Sequence, residues 1–146
     1  MTKEEKDLLL KDLCTRLPYG VKIYHKSIDV NGNTYVYDGY ILHEISSNGE
    51  CISLLNLDKG HGVCEVDIAL GEFKPYLRPM SSMTEEEGQT FTKFDDSIEL
   101  DLSQFDNYLW LANIEQIDWL NTHHFDYRGL IEKGLAIEAS EEIYGR

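Results

Sequence analysis

The chain has 146 residues, 42% of them hydrophobic and 11% aromatic, with only three prolines, a composition too apolar for a disordered segment and a length that suits one domain. Its 27 acidic residues against 13 basic ones give a formal net charge of −14. Because lysine and arginine supply the phosphate contacts on which nucleic-acid affinity rests, direct binding to DNA or RNA is not expected.

In chain order, Thr2 and Glu5 have the spacing of a capping box, and Leu9, Leu10, Leu13 and Leu17 recur at helical intervals until Pro18 and Gly20, which predicts a short amphipathic N-terminal helix. The period then changes. "GVKIYHK", "NTYVYDGYILHEI", "ECISLLNL" and "GVCEVDI" are rich in β-branched and aromatic residues, and "NGN" at 31–33, "SNGE" at 47–50 and "DKGHG" at 58–62 separate them. The spacing predicts antiparallel strands joined by tight turns. Gly39, between Tyr37 and Tyr40, suggests a bulge that lets the sheet curl, with an SH3-like, partly open barrel as one form. Alternation in "VCEVDI" turns Cys64, Val66 and Ile68 toward the core.

Beyond Pro79 the character changes again. Thr84 and Glu87 form a second capping box, with Glu85 and Glu86 at the positive end of a short helix that Gly88 weakens. "SIELDL" at 97–102 alternates like an edge strand, Trp110, Ile114, Ile117 and Leu120 mark a helix running to about residue 123, and "GLIEKGLAIEA" suggests a short helix and a docked tail. The expected fold is therefore one α+β domain over 1–146: an N-terminal helix, a small strongly curved antiparallel sheet, and C-terminal helices packed on it. Residues 1–83 carry the mainly β part, with 12 acidic and 9 basic side chains and a net of −3; residues 84–146 carry the acidic, mainly helical part, with 15 and 4 and a net of −11.

No run approaches the ~18 apolar residues of a membrane span, and "MTKEEKDLLLKDL" has no apolar signal-peptide core, so a cytoplasmic protein without a membrane partner is expected. Cys14, Cys51 and Cys64 are widely spaced and odd in number; they are read as small buried side chains, not a disulfide framework.

"WLNTHHFDYRGLI", 119–131, is the run densest in potential chemistry. Its local reading gives every polar residue a structural role, with His123 or His124 at the negative end of a helix dipole, Asp126 capping the next turn, Arg128 pairing with Asp126 or Asp118, and Gly129 turning the chain. A chemical reading makes His123, His124 and Asp126 a metal-dependent or acid–base centre, but adjacent histidines on a helix point about 100° apart and no fixed ligand spacing accompanies them. No phosphate-binding glycine loop, nucleophile elbow or dinucleotide fingerprint is present, and no cofactor is expected.

Three pieces, "LLLKDLCTRLPYGVK" at 8–22, "KPYLRPMSSMTEEE" at 74–87 and "IDWLNTHHFDYRGLIEKGLAIEA" at 117–139, resemble a family of short proteins without an established activity, encoded in gut anaerobic bacteria and in their phages or integrated elements. The resemblance implies a mobile-element context and carries over no functional residue. The expected function is that of a non-enzymatic accessory protein that binds another protein through an aromatic or acidic face formed from Tyr35, Tyr37, Tyr40, Glu85, Glu86, Glu87, Asp95 and Asp96. Its specific form is an acidic inhibitor of a nucleic-acid-binding protein. The alternative is a small enzyme centred on His123, His124 and Asp126.

Overall fold

The computed structural model describes residues 1–56, 62–67, 71–93 and 114–145, with 62–64 described by backbone alone. The expected edge strand at 97–102, most of the 58–62 loop, Asp95, Asp96, Trp110, Ile68 and the Cys64 side chain lie outside the described residues.

Helix α1, Lys3–Arg16, begins where the capping box predicts: the Glu5 N–H donates to Thr2 Oγ1 and the Thr2 N–H to the Glu5 carboxylate, both at 3.1 Å. Leu9 and Leu13 are fully buried, and so are Asp12 and Arg16 on the same face. A 3-10 turn over Leu17–Tyr19 ends at Gly20, whose φ of 69° is the left-handed conformation that glycine adopts without strain.

Five strands follow: β1 Lys22–Ile28, β2 Thr34–Ile45, β3 Cys51–Asn56, β4 Gly62–Asp67 and β5 Glu72–Leu77. With β6, Ile137–Glu138, they form one sheet in the order β4-β3-β2-β1-β5-β6, antiparallel except for the β5–β6 pair. Gly39 is the bulged residue. Ile23 pairs with Tyr40 and Tyr24 with Asp38, which leaves Gly39 unpaired at a φ of 74°. Without the bulge Tyr37 and Tyr40 would point to opposite faces; with it their rings meet edge-on, centroids 5.3 Å apart. A second register shift falls at His43. The sheet curls at these shifts but does not close: β4 and β6 remain at opposite edges, so the SH3-like, partly open barrel suggested by the Gly39 bulge does not form. β5 contains Pro75, which β-propensity disfavours. β6 covers only Tyr76 and Leu77, and among the described residues no strand lies on that side of the first part of β5, a setting that tolerates proline.

Helix α2, Glu85–Thr92, starts at the second capping box, with Thr84 and Glu87 in the predicted roles. Helix α3, Ile114–Thr122, buries Leu120 and packs Ile117 against the second cluster as expected, but not Ile114. Ile114 is 80% exposed, while Gln116, Trp119, Leu120 and Asn121 are buried. Gln116 tolerates burial because its Nε2 donates to the Phe91 carbonyl at the end of α2, at 3.2 Å. The expected helix in "GLIEKGLAIEA" is replaced by turns and β6. Gly129 and Gly134 both sit at φ 72°, and two left-handed residues five apart prevent a continuous helix.

Leu9 and Leu13 of α1 pack with Ile23, Leu42, Ile52, Leu54, Val66, Phe73 and Leu77 of the sheet and with Leu130 and Leu135, and a second cluster joins Met83, Phe91, Trp119, Leu120 and Phe125. Val66 faces inward and Glu65 outward, as the alternation predicts. Cys14 and Cys51 are exposed and free, contrary to the expected burial: Cys14 falls on the solvent side of α1, and Cys51 is the first residue of its strand. No helix among the described residues is long and apolar enough to cross a membrane.

Candidate functional site

The structure gives each ionisable residue of 119–131 a partner or a packing role. His123 follows α3, stacks on Trp119 at 4.2 Å, and sets its Nδ1 2.9 Å from the Trp119 carbonyl. A carbonyl only accepts, so that nitrogen carries the proton. His124 has a φ of 63° and lies flat on Tyr144, ring centroids 3.7 Å apart, with its own Nδ1 enclosed and without a hydrogen bond. Burial, reinforced by the charges of Arg16, His123, Arg78 and Lys22, lowers its pKa to about 4. Asp126 uses both carboxylate oxygens, accepting the Leu130 N–H at 2.8 Å and the Ile131 N–H at 2.9 Å; this is the expected capping role. Arg128 departs from expectation. Its Nε lies 3.3 Å from the buried Asp12, a partner more than a hundred residues away.

Around this turn gather three of the four arginines of the chain. Arg16 forms a double hydrogen bond with Asp12, Nε at 2.7 Å and Nη2 at 3.2 Å, and its Nη2 also donates to the Phe125 carbonyl at 2.7 Å. Arg78 grips Glu87 through two bonds of 2.7 Å and lies 4.1 Å from the centre of the Phe125 ring. The Arg78 guanidinium draws the Glu87 pKa down to about 2. Tyr127 joins the knot by donating to Asn121 Oδ1 at 2.8 Å. Among the described residues no group of three or more His, Cys, Asp or Glu side chains is placed to hold a metal ion. Both Asp126 oxygens and the His123 Nδ1 proton are engaged with the backbone.

The tyrosine and acidic residues are dispersed. Tyr37 and Tyr40 are half-buried against the core. Glu85 and Glu86 are exposed on α2, whereas Glu87 is committed to Arg78 and to its cap. Tyr35 stands apart at 47% exposure, in a section of β1–β2 that has no other strand beside it among the described residues. β1 meets β5 only over Ile23–Lys26, and β2 meets β3 only over Ile41–Ile45. The remaining ribbon projects, and Ile28, Val30, Tyr35 and Val36 on it are exposed at 63%, 102%, 47% and 54%.

Sequence reasoning missed what lies at the base of this ribbon. Cross-strand pairing puts His25 opposite Tyr37 and Ser27 opposite Tyr35, and the curl of the sheet brings β4 across from them. Between the two sides opens a cavity of about 210 Å³ lined by His25, Ser27, Ile28, Asp29, Tyr37, Glu65, Val66 and Asp67. His25 is 1% exposed and stacks on Tyr37, centroids 6.0 Å apart and planes 16° apart. Its Nδ1 has no hydrogen-bond partner. Burial holds the imidazole below its ordinary pKa, against the pull of the Glu72 backbone and the Asp67 carboxylate. Asp29 faces the ribbon turn, accepting from the Asn31 and Asn33 backbones at 2.9 Å and from the Tyr35 hydroxyl at 3.2 Å. The signal available in sequence was the Asp-x-Asn-Gly-Asn turn followed by Tyr35 and Tyr37; the approach of Glu65 and Asp67 depends on the curl.

No protein-family model matches the chain, and neither a curated protein nor a solved structure shows detectable similarity to it.

Proposed function

We propose that the chain is a protein-binding accessory module that engages a basic partner through the projecting β1–β2 ribbon and the acidic cleft at its base. The observation that carries this reading is a projecting ribbon with exposed apolar residues on both faces, Ile28 and Val36 on one and Tyr35 on the other, above a cleft whose described lining holds three carboxylates and no lysine or arginine. Exposed apolar side chains beside charge are a common feature of interaction sites, and a net charge of −14 favours encounter with a positively charged partner. Its specific form is an acidic inhibitor that occupies the nucleic-acid site of such a partner, with Glu85 and Glu86 of α2 adding to the field. The resemblance to proteins of phages and integrated elements agrees with an accessory role of this kind.

The test is affinity capture from nuclease-treated host lysate, read by mass spectrometry, with the native chain and with an Ile28→Ser/Val36→Ser ribbon variant. One enriched basic protein that the ribbon variant loses, and that nucleic acid displaces, is the expected result. Equal capture by both chains, or no enriched partner, would contradict the reading.

A further inference from the structure

We infer that residues 140–145 form a releasable strap, shut by the Tyr144 side chain wedged between β1 and β5 and stacked on His124, and that a proton taken up by His124 opens it. The wedge stands in for a rung of the sheet. β1 and β5 pair Tyr24 with Lys74 and Ile23 with Pro75, so the next rung of that antiparallel ladder would join the Lys22 N–H to the Tyr76 carbonyl. The Tyr144 hydroxyl divides that bond, accepting from the Lys22 N–H at 2.9 Å and donating to the Tyr76 carbonyl at 2.7 Å. If the hydroxyl withdraws, the two backbone groups it separates are natural partners and neither is stranded. Two discrete arrangements follow, strap in or ladder one rung longer. The other fastenings are few. Lys22 Nζ donates to the Ile143 carbonyl at 2.6 Å and lies 5.8 Å from the centre of the Tyr144 ring, and no residue of 140–145 belongs to either apolar cluster. β6 is anchored separately, by the Ala139 N–H on the Leu77 carbonyl at 2.8 Å and by the buried Ala136 and Ala139, so the strap can leave without it.

His124 supplies the trigger. Its ring lies flat against Tyr144, centroids 3.7 Å apart, with Nδ1 enclosed and unpartnered. An imidazolium carries an N–H on both nitrogens, so protonation in the docked state leaves an N–H at Nδ1 without an acceptor. The surrounding charges raise that cost: Arg16 of α1, Lys22 of β1, Arg78 beyond β5 and the neighbouring His123 all bear on the ring. No described carboxylate forms an ion pair with it, since Asp12 and Glu87 are engaged with the arginines and Asp126 with the backbone, while Glu141 and Glu142 of the strap are exposed. Tyr144, the strap residue on the ring, is a phenol that burial keeps protonated. Release gives the imidazolium water. Docking is therefore at full strength above the ordinary histidine pKa of 6.5 and weakens as pH falls toward about 4, the value that burial imposes while the strap is shut.

The experiment is relaxation-dispersion NMR of the labelled full chain in steps from pH 7.5 to 5.5, comparing the amides of Ile143, Tyr144 and Gly145 with that of Ala139. The ratio of released to docked strap should rise about tenfold over that range, which ends one unit below 6.5, with Ala139 taking no part in the exchange. His124→Phe, which keeps the stack and cannot take up a proton, should hold the ratio constant. Tyr144→Ala should give the released signals at every pH, with the Lys22 amide still protected from hydrogen exchange by the new rung. A pH-independent ratio in the native chain, no exchange at 143–145 at pH 5.5, or Ala139 exchanging in step with the strap would each overturn the inference. So would a tenfold rise that persists in His124→Phe, and an unprotected Lys22 amide in Tyr144→Ala would remove the wedge.

Discussion

Two regions of this molecule crowd ionisable side chains together, and they differ in the balance of charge they collect. Around residues 124–128, Arg16, Arg78 and Arg128 meet Asp12, Glu87, ring faces and backbone carbonyls, and Asp126 spends both oxygens on two N–H groups. At the base of the β1–β2 ribbon, carboxylates line an open cavity whose described wall holds no lysine or arginine, beside an imidazole nitrogen without a partner. The run densest in ionisable residues is thus paired internally, cation against anion, whereas the described lining of the cleft is acidic.

The contrast predicts where substitutions act, and the arginine knot should respond most strongly. Asp12→Asn removes the carboxylate from the buried Arg16 and the half-buried Arg128; loss of a buried partner should cost roughly 3 kcal/mol or more in urea denaturation. A loss under ~1 kcal/mol would mean that the knot is not what fastens α1 to the C-terminal turns.

His124 gives the next effect, through pH. Its folded pKa of about 4 lies below the ordinary value of 6.5, so the unfolded chain takes up the proton first. Stability should be level above pH 6.5 and fall as pH drops toward 4, by about 3 kcal/mol for this group over the full window. His25 contributes in the same direction. His124→Phe, which keeps the stack on Tyr144, should remove most of the slope in denaturation series at stepped pH; an unchanged slope would place the acid sensitivity elsewhere. Glu87 acts in a separate window. Its pKa is depressed from 4.5 to about 2, so its stabilisation is complete above 4.5 and disappears as pH falls through 2. Glu87→Gln should shift only that acid limb, by on the order of 2 kcal/mol once solvent screening of this partly exposed pair is allowed for.

The cleft should matter least to stability: Glu65→Gln and Tyr35→Ala should stay within about 0.5 kcal/mol of the native chain in the same assay, while reducing partner capture. Stability loss comparable to that of Asp12→Asn would make the cleft structural too.

Much of the fold can be read from local sequence because local physics decides it. Both capping boxes, the first four strands and the Gly39 bulge depend on residues within a few positions of one another. Elements set by distant partners escape such reading. Pro75 argues against a strand until the shortness of β6 is known, β6 itself exists only because Tyr76 and Leu77 offer it an edge, and the inward turn of Gln116 depends on the Phe91 carbonyl. The same holds for the two sites. Asp126 capping its own turn was accessible from spacing, but Arg128 reaching Asp12, and Glu65 and Asp67 approaching His25, require the finished tertiary structure.

The proposed function depends on the ribbon and its cleft, and not the histidine-rich turn, being the working surface. Backbone amide chemical-shift mapping of the labelled chain during titration with a short peptide rich in lysine, arginine and leucine separates the two regions in one experiment. Shifts should concentrate at 25–29, 35–37 and 65–67, with the amides of 119–131 unmoved; shifts centred on 123–128 and absent from the ribbon would contradict the proposal.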